Sequence, residues 1–389
     1  MFRFLHAADI HLDSPLIGLE LSEDAPVDQI RGATRKALDN LVELAIREEV
    51  AFVLLAGDIY DGDWKDFNTG LFFNQRMIKL RDANIPVFIV SGNHDAASQI
   101  TKSLRLPENV FIFSTRKPET RLLQNLNVAI HGQSFASRAI SQDLSSGYPL
   151  PQSGCFNIGL LHTALSGRAG HEPYAPCTVD ALKAKGYQYW ALGHVHNREE
   201  VLQDPWIVFP GNLQGRHIRE TGPKGCTLVT VEAQEVTLVE HVDLDVLRWQ
   251  LCKVDVSGCR NVDEVYERTQ VSLEKTLAEG DGRPVVARLE LHGTTAAHQK
   301  LQAQSAHWTE EFRSLAINLG GEGLWLEKVR FKTKEQMNID ALIQGDEALG
   351  GLVHSLLNLQ MDADKLRELD PEIDAFLNKL PPELRGGEE

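Results

Sequence analysis

Five short stretches of this chain gather metal-type ligands, and each follows an apolar run. Asp9 and His11 follow "FRFLHAA", and Asp58 and Asp61 stand in "GDIYD" after "AFVLLA". Asn93, His94 and Asp95 follow "IPVFIVSG", His162 lies in "NIGLLHT", and His194 and His196 stand in "GHVH" after "YQYWAL". Carboxylates, an amide oxygen and imidazoles form a mixed oxygen and nitrogen donor set. Such a set suits Mn²⁺, Fe or Zn²⁺ better than Ca²⁺ or Mg²⁺, and the lack of thiolates argues against a structural zinc site.

The spacing says where these groups must sit. An i, i+2 pair such as Asp9/His11 or His194/His196 points to one side at a strand end. Clusters that follow apolar runs lie at the carboxyl ends of strands, where open α/β sheets collect their sites. Gly92 and Asn93 tolerate the strained backbone of a turn, which leaves His94 and Asp95 to be explained chemically. A single DxH or GHxH means little, and Asp61 alone reads equally as a helix cap. Five clusters in order after five apolar runs are hard to assign to chance. His6, His131, His171 and His241 fall outside the clusters and read as core or surface histidines. Arg216, His217 and Arg219 in "QGRHIRE" follow a Pro-Gly-Asn turn and read either as phosphate contacts or as a solvated loop.

Strands and helices alternate up to about residue 246. Residues 27–49 carry Ile30, Ala37, Leu38, Leu41, Leu44 and Ala45 at helical spacing. "FNTGLFFNQRMIKLRDAN" reads as a second helix, and residues 226–243 read as a hairpin. Near residue 247 the style changes to a compact β-α-β-α-β unit without ligand clusters, with helices expected from about Asn261 and Ala296. From Gln336 onward there are twelve acidic and four basic residues. This tail has one apolar stripe at Leu349, Leu352, Val353, Leu356 and Leu357. A second stripe, at Ile373, Phe376, Leu377 and Leu380, follows an Asp370-Pro371 helix start.

The 389 residues carry 39 Lys and Arg against 55 Asp and Glu, a net charge of −16. That balance argues against non-specific nucleic-acid binding by the whole surface, so any basic groove must be local or supplied by metals or a partner. The five cysteines include no CxxC pair and read as reduced thiols. No leader pattern or long apolar run occurs, so a cytoplasmic protein, neither secreted nor membrane-spanning, is expected.

In their order, DxH, GDxxD, GNHD, a lone His and GHxH resemble the calcineurin-like metallophosphoesterase superfamily. "HAADIHLDSPL", "AGDIYDG", "SGNHDAAS", "GYQYWALGHVH" and "FPGNLQGRHIRE" are similar to bacterial DNA-repair exonucleases of the SbcD and YhaO type. The resemblance implies an α/β fold: a four-layer α-β-β-α sandwich over residues 1–246, a capping domain over 247–335 and a helical tail over 336–389. It also implies two divalent ions, manganese first, with iron or zinc as alternatives. Asp9, His11 and His196 would hold one ion, Asn93, His162 and His194 the other, and Asp58 both. A shared carboxylate makes sense because two nearby dications repel each other strongly. His94 would be the proton donor and Asp61 its orienting partner, where some archaeal and eukaryotic relatives carry histidine. The implied activity is 3′ exonuclease or single-strand endonuclease action on DNA, in a homodimer whose tail docks on an SbcC-like ATPase. A cyclic-nucleotide phosphodiesterase and a non-catalytic scaffold for a DNA-bound ATPase are the rival readings.

Overall fold

The computed structural model describes residues 1–14, 27–61, 67–97, 105–166 and 175–335. The expected tail helices and His171 lie outside the described residues.

The apolar runs become strands because a strand covered on both faces needs apolar residues on both. One six-stranded sheet is built on β1 (Phe2–Ala7), β2 (Phe52–Leu55), β3 (Val87–Ile89) and β4 (Val110–Ile112), paired in parallel. The hairpin β11 (Gly225–Glu232) and β12 (Glu235–Asp243) closes its other side, with β11 antiparallel to β1. The second sheet has the order β5 (Glu119–Leu123), β6 (Val128–Gly132), β7 (Phe156–His162), β8 (Tyr189–Gly193), β10 (Trp206–Phe209) and β9 (Glu199–Gln203).

Alternation along the strands decides which side chains meet. Phe4, Phe52, Leu54 and Phe88 of the first sheet pack against Ile130, Ile158, Leu160, Tyr189 and Val208 of the second. Phe4 stacks on Phe52 at 5.0 Å between centroids and meets Tyr189 edge-on at 5.3 Å. The opposite face of the first sheet (Leu5, Val53, Leu55, Ile89) buries against α1 (Val27–Arg47) and α2 (Phe67–Asp82) through Leu38, Leu41, Phe73 and Met77. The outer face of the second sheet, with Trp190, Leu192 and Phe209, packs on Tyr148, Tyr187 and Leu182 of the short α4 (Val179–Ala184). The result is the four-layer α-β-β-α arrangement, with the short α3 (Asn93–Ala97) following β3.

Residues 248–335 form a separate parallel sheet, β13 (Arg248–Asp255), β14 (Val285–Thr295) and β15 (Leu324–Glu335). One face is covered by α5 (Val262–Ala278), α6 (His298–Ala303) and α7 (Ser305–Gly320). Asn261 caps α5 by accepting the Glu264 amide at 2.9 Å. The helix expected from about Ala296 is two helices broken at Gln304, and Leu301 before the break and Phe312 after it enter the same core. At the start of the other face, Trp249, Val286 and Trp325 pack with Ile30 and Ala33 of α1 and with Ile218. All five cysteines are free. Among the described residues no helix is long and apolar enough to cross a membrane.

Candidate metal centre

The ligand clusters meet where β1, β2, β3, β7 and β8 end. Left-handed backbone is costly for residues with a Cβ, and four of these positions adopt it: Asp9 (φ 51°), His11 (φ 44°), Asp58 (φ 53°) and His194 (φ 103°). Backbone bonds between the loops hold them there. The amides of Asp9, His11 and Leu12 donate to the carbonyls of Gly57, Asp58 and Ile59 at 3.0, 3.0 and 2.8 Å. The His194 amide donates to Asp9 Oδ2 at 2.9 Å. Close approach also needs glycine: a Cβ on Gly193 would lie 1.9 Å from the Ala56 carbonyl oxygen.

Two sets bring their donor atoms within 4.8 Å of one another at the strand ends, Asp9, His11 and His196, and Asp58, His162 and His194, and a third group joins His11 to Asp61 and His94 beside them. In the first, His11 Nε2 and His196 Nε2 face each other at 3.3 Å, with Asp9 Oδ1 3.8 Å from the latter. In the second, His162 Nε2 lies 3.0 Å from Asn93 Oδ1, 3.3 Å from His194 Nδ1 and 3.4 Å from Asp58 Oδ2. Asp58 Oδ2 also comes within 3.9 Å of His11 Nε2, so this one carboxylate faces both sets.

These residues fit a pair of cations. His162 donates from Nδ1 to the Ala56 carbonyl at 2.8 Å, which leaves the Nε2 lone pair aimed at the oxygens of Asn93 and Asp58. Acceptors converging in a buried space need a positive charge between them, either a proton or a metal ion. Burial opposes a proton on His162, yet Asp58 pushes the ring up to about 9. Burial works against ionisation of Asp58 too, but His162 and its neighbours hold it well below the usual carboxylate range. Asp9 goes the other way, raised by burial despite His196 and His162. His11 Nδ1 is buried without a hydrogen-bond partner, with Asp61 Oδ1 too distant at 3.6 Å.

Beside the ligands, His94 Nδ1 lies 2.9 Å from Asp61 Oδ1, and the ring keeps 29% of its surface open. Burial lowers the basicity of His94, but Asp61 and Asp58 more than reverse it and favour the imidazolium. Asp61 also accepts from Ser14 Oγ at 2.5 Å and lies 3.9 Å from Arg216 Nη1. Asp95 accepts three backbone amides, from Ile59, Tyr60 and Gly92, and so ties the turn after β3 to the loop after β2.

The "QGRHIRE" stretch divides. Arg216 is mostly buried at the edge of the centre, its Nη2 2.8 Å from Glu220 Oε1. His217 is more open, and Arg219 is exposed. Glu220, missed in the sequence reading, is buried 2.6 Å from His196 Nδ1. Its i, i+4 spacing from Arg216 was the only signal, and it gave no hint of His196. His6 and His131 are core histidines, bonded to Tyr189 and Leu192 and to Thr120 and Asn157. His241 pairs with Asp243 at 3.2 Å on the hairpin.

Comparison with known proteins decides the family. The model for the calcineurin-like phosphoesterase matches residues 2–198. This chain belongs to that family. Residues 249–334 match the middle domain of metallophosphoesterase YhaO. The chain is 34% identical to the uncharacterized metallophosphoesterase YhaO of Bacillus subtilis, over 91% of its own length and 86% of the relative's. It is 24% identical to the DNA double-strand break repair protein Mre11 of Sulfolobus acidocaldarius, over 87% of this chain and 88% of that one. Identity to the Mre11 of Methanopyrus kandleri is also 24%, over 69% of this chain and 62% of the relative. As a calcineurin-like phosphoesterase, the protein is a metal-dependent phosphoesterase.

Proposed function

We propose that the phosphoesterase hydrolyses DNA phosphodiesters, as a 3′ exonuclease or single-strand endonuclease. The observation that carries this reading is the face of the third sheet that, among the described residues, no helix covers. Strand register sets Lys253, Glu290 and Arg330 in one row and Asp255, His292 and Lys332 in the next. Leu251, Arg288 and Lys328 precede them, and Thr294 and Lys334 follow. With Glu327 bonded to Arg288, this face has six basic side chains against three acidic ones, on a chain of net charge −16. It begins at Trp249, Val286 and Trp325, which pack against Ile218 of the Arg216–Glu220 loop beside the metal centre. A local basic face leading from a phosphoester site fits a polyanion and is needless for a small diester. Similarity to Mre11, a DNA double-strand break repair protein, supports the same substrate.

Bound in the two sets, divalent ions, manganese first, would supply an activated water and stabilise charge on the phosphate oxygens. The residues do the rest. His94, held charged by Asp61, donates a proton to the leaving oxygen. Arg216, oriented by Glu220, faces the same space and would meet a phosphate oxygen, while His217 and Arg219 lie further out. The proposal extends to a cytoplasmic homodimer whose residues 336–389 dock on an SbcC-like ATPase. Truncation before Gln336 should then abolish co-purification with the ATPase and leave cleavage of short single strands intact.

Labelled DNA and cyclic nucleotides should be assayed side by side with Mn²⁺. Cleavage of DNA is expected, and the Lys332→Glu, Lys334→Glu double variant should lower the salt dependence of DNA binding by about two charges. Hydrolysis of cyclic nucleotides without DNA cleavage would overturn the reading, as would unchanged DNA binding in the double variant.

A further inference from the structure

Glu220 is a buried anion with an unusual set of partners. Its Oε1 lies 2.6 Å from His196 Nδ1 and accepts from Arg216 Nη2 at 2.8 Å. Its Oε2 accepts the Arg216 backbone amide at 2.8 Å and Asn212 Nδ2 at 3.0 Å. A buried carboxylate of this kind is tolerated only when its oxygens are fully engaged.

The loop that carries Glu220 is tied at both ends to the third sheet. Gln214 donates to the Leu247 carbonyl and accepts the Val246 amide, both at 2.9 Å. Trp249 donates its indole N–H to the Gly215 carbonyl at 2.9 Å, and the Gly222 amide donates back to the Trp249 carbonyl at 3.1 Å. Glu220 therefore sits on a fixed support.

We propose that Glu220 is the positioning residue for His196 and Arg216, fixing the tautomer and plane of the His196 ring. Because Glu220 accepts at Nδ1, the proton of His196 is held there, and Nε2 is left bare toward Asp9 and His11. A carboxylate behind a ligating imidazole fixes its tautomer and ring plane and makes it a stronger donor. The same oxygen orients the guanidinium that faces Asp61 and Ser14, so one side chain places two neighbouring groups at this edge of the centre.

This inference rests on the two-cation reading of the site and not on the DNA reading. The test is a calorimetric titration of the metal-free full-length protein with Mn²⁺, alongside ¹⁵N NMR of the histidine tautomers. Wild type should bind two Mn²⁺, with His196 protonated at Nδ1. Glu220→Gln keeps the shape and loses the charge, and should weaken one of the two affinities about tenfold. Glu220→Met should weaken the same affinity by up to about 100-fold and mix the His196 tautomers. The other affinity should stay within about twofold of wild type in both variants. If Met at this position prevents a cooperative melt, the Gln variant decides. A folded variant with both affinities at wild-type values would overturn the role of Glu220. A wild type that binds no Mn²⁺ would instead overturn the reading of the site itself.

Discussion

Adding one carbon at Gly92 disturbs the centre without removing a ligand. Gly92 does not adopt left-handed backbone, so Gly92→Ala introduces no conformational strain and acts only by contact. Its Cβ would lie 2.3 Å from Asp58 Oδ1, and 2.9 Å from both Asp58 Cγ and the Asp58 amide. Ordinary contact starts near 3.4 Å, so the carboxylate must retreat by about 1 Å. The retreat breaks the 2.9 Å bond that Asp58 Oδ1 accepts from the His94 amide. A hydrogen bond to a charged group contributes about 1.5–3 kcal/mol. Overpacking of a tight site costs about 1–3 kcal/mol. Allowing for partial relaxation, the variant should lose about 2–4 kcal/mol of stability. Misplacing a reacting group by about 1 Å costs about 10²-fold in turnover. Urea unfolding, Mn²⁺ content and hydrolysis of an activated aryl phosphodiester measure the three consequences. Turnover within about threefold of wild type, with two Mn²⁺ retained, would refute the claim that the position of Asp58 matters this finely.

Two other perturbations separate chemistry from support. His94→Gln removes the proposed proton donor and no ligand, so metal content should survive while turnover on DNA falls by about 10²–10⁴. An activated substrate with a good leaving group should lose less, and equal losses would count against acid catalysis. His6 provides a pH test away from the site: burial pushes it down to about 3 from 6.5, so the folded state holds it neutral. Its contribution is complete above pH 6.5 and is lost as the pH falls toward 3, by about 1.4 kcal/mol per unit. His6→Gln should therefore remove about 2 kcal/mol of the stability difference between pH 6.5 and 5.0, measured by urea unfolding. An unchanged difference would show that another group carries it.

The centre was legible because ligands at strand ends follow apolar runs, and both features are local in sequence. β1, β2, β3, β7 and β8 are fully or largely buried, so their composition marks them. β5 and β9 carry no such run: they are partly exposed, their residues alternate little, and pairing with a neighbour makes them strands. The break at Gln304 was hidden for a related reason, since both halves are helical and only packing against the third sheet separates them. Glu220 could not be recognised as a partner of His196 because that contact exists only after the loop beyond β10 folds back over the centre. The left-handed backbone at Asp9, His11 and Asp58 was equally invisible, because bonds from a neighbouring loop stabilise it against the local preference of those residues.

The central claim is that Asp58 serves both cation sites. Electron paramagnetic resonance of the Mn²⁺-loaded protein, with metal analysis, tests it on wild type and Asp58→Ala. Wild type should hold two ions with the spectrum of an exchange-coupled pair. Without Asp58, both sites lose a donor and the anion that offsets their mutual repulsion. The variant should show less than full occupancy at each site and no coupling. Two coupled ions in Asp58→Ala would contradict the account.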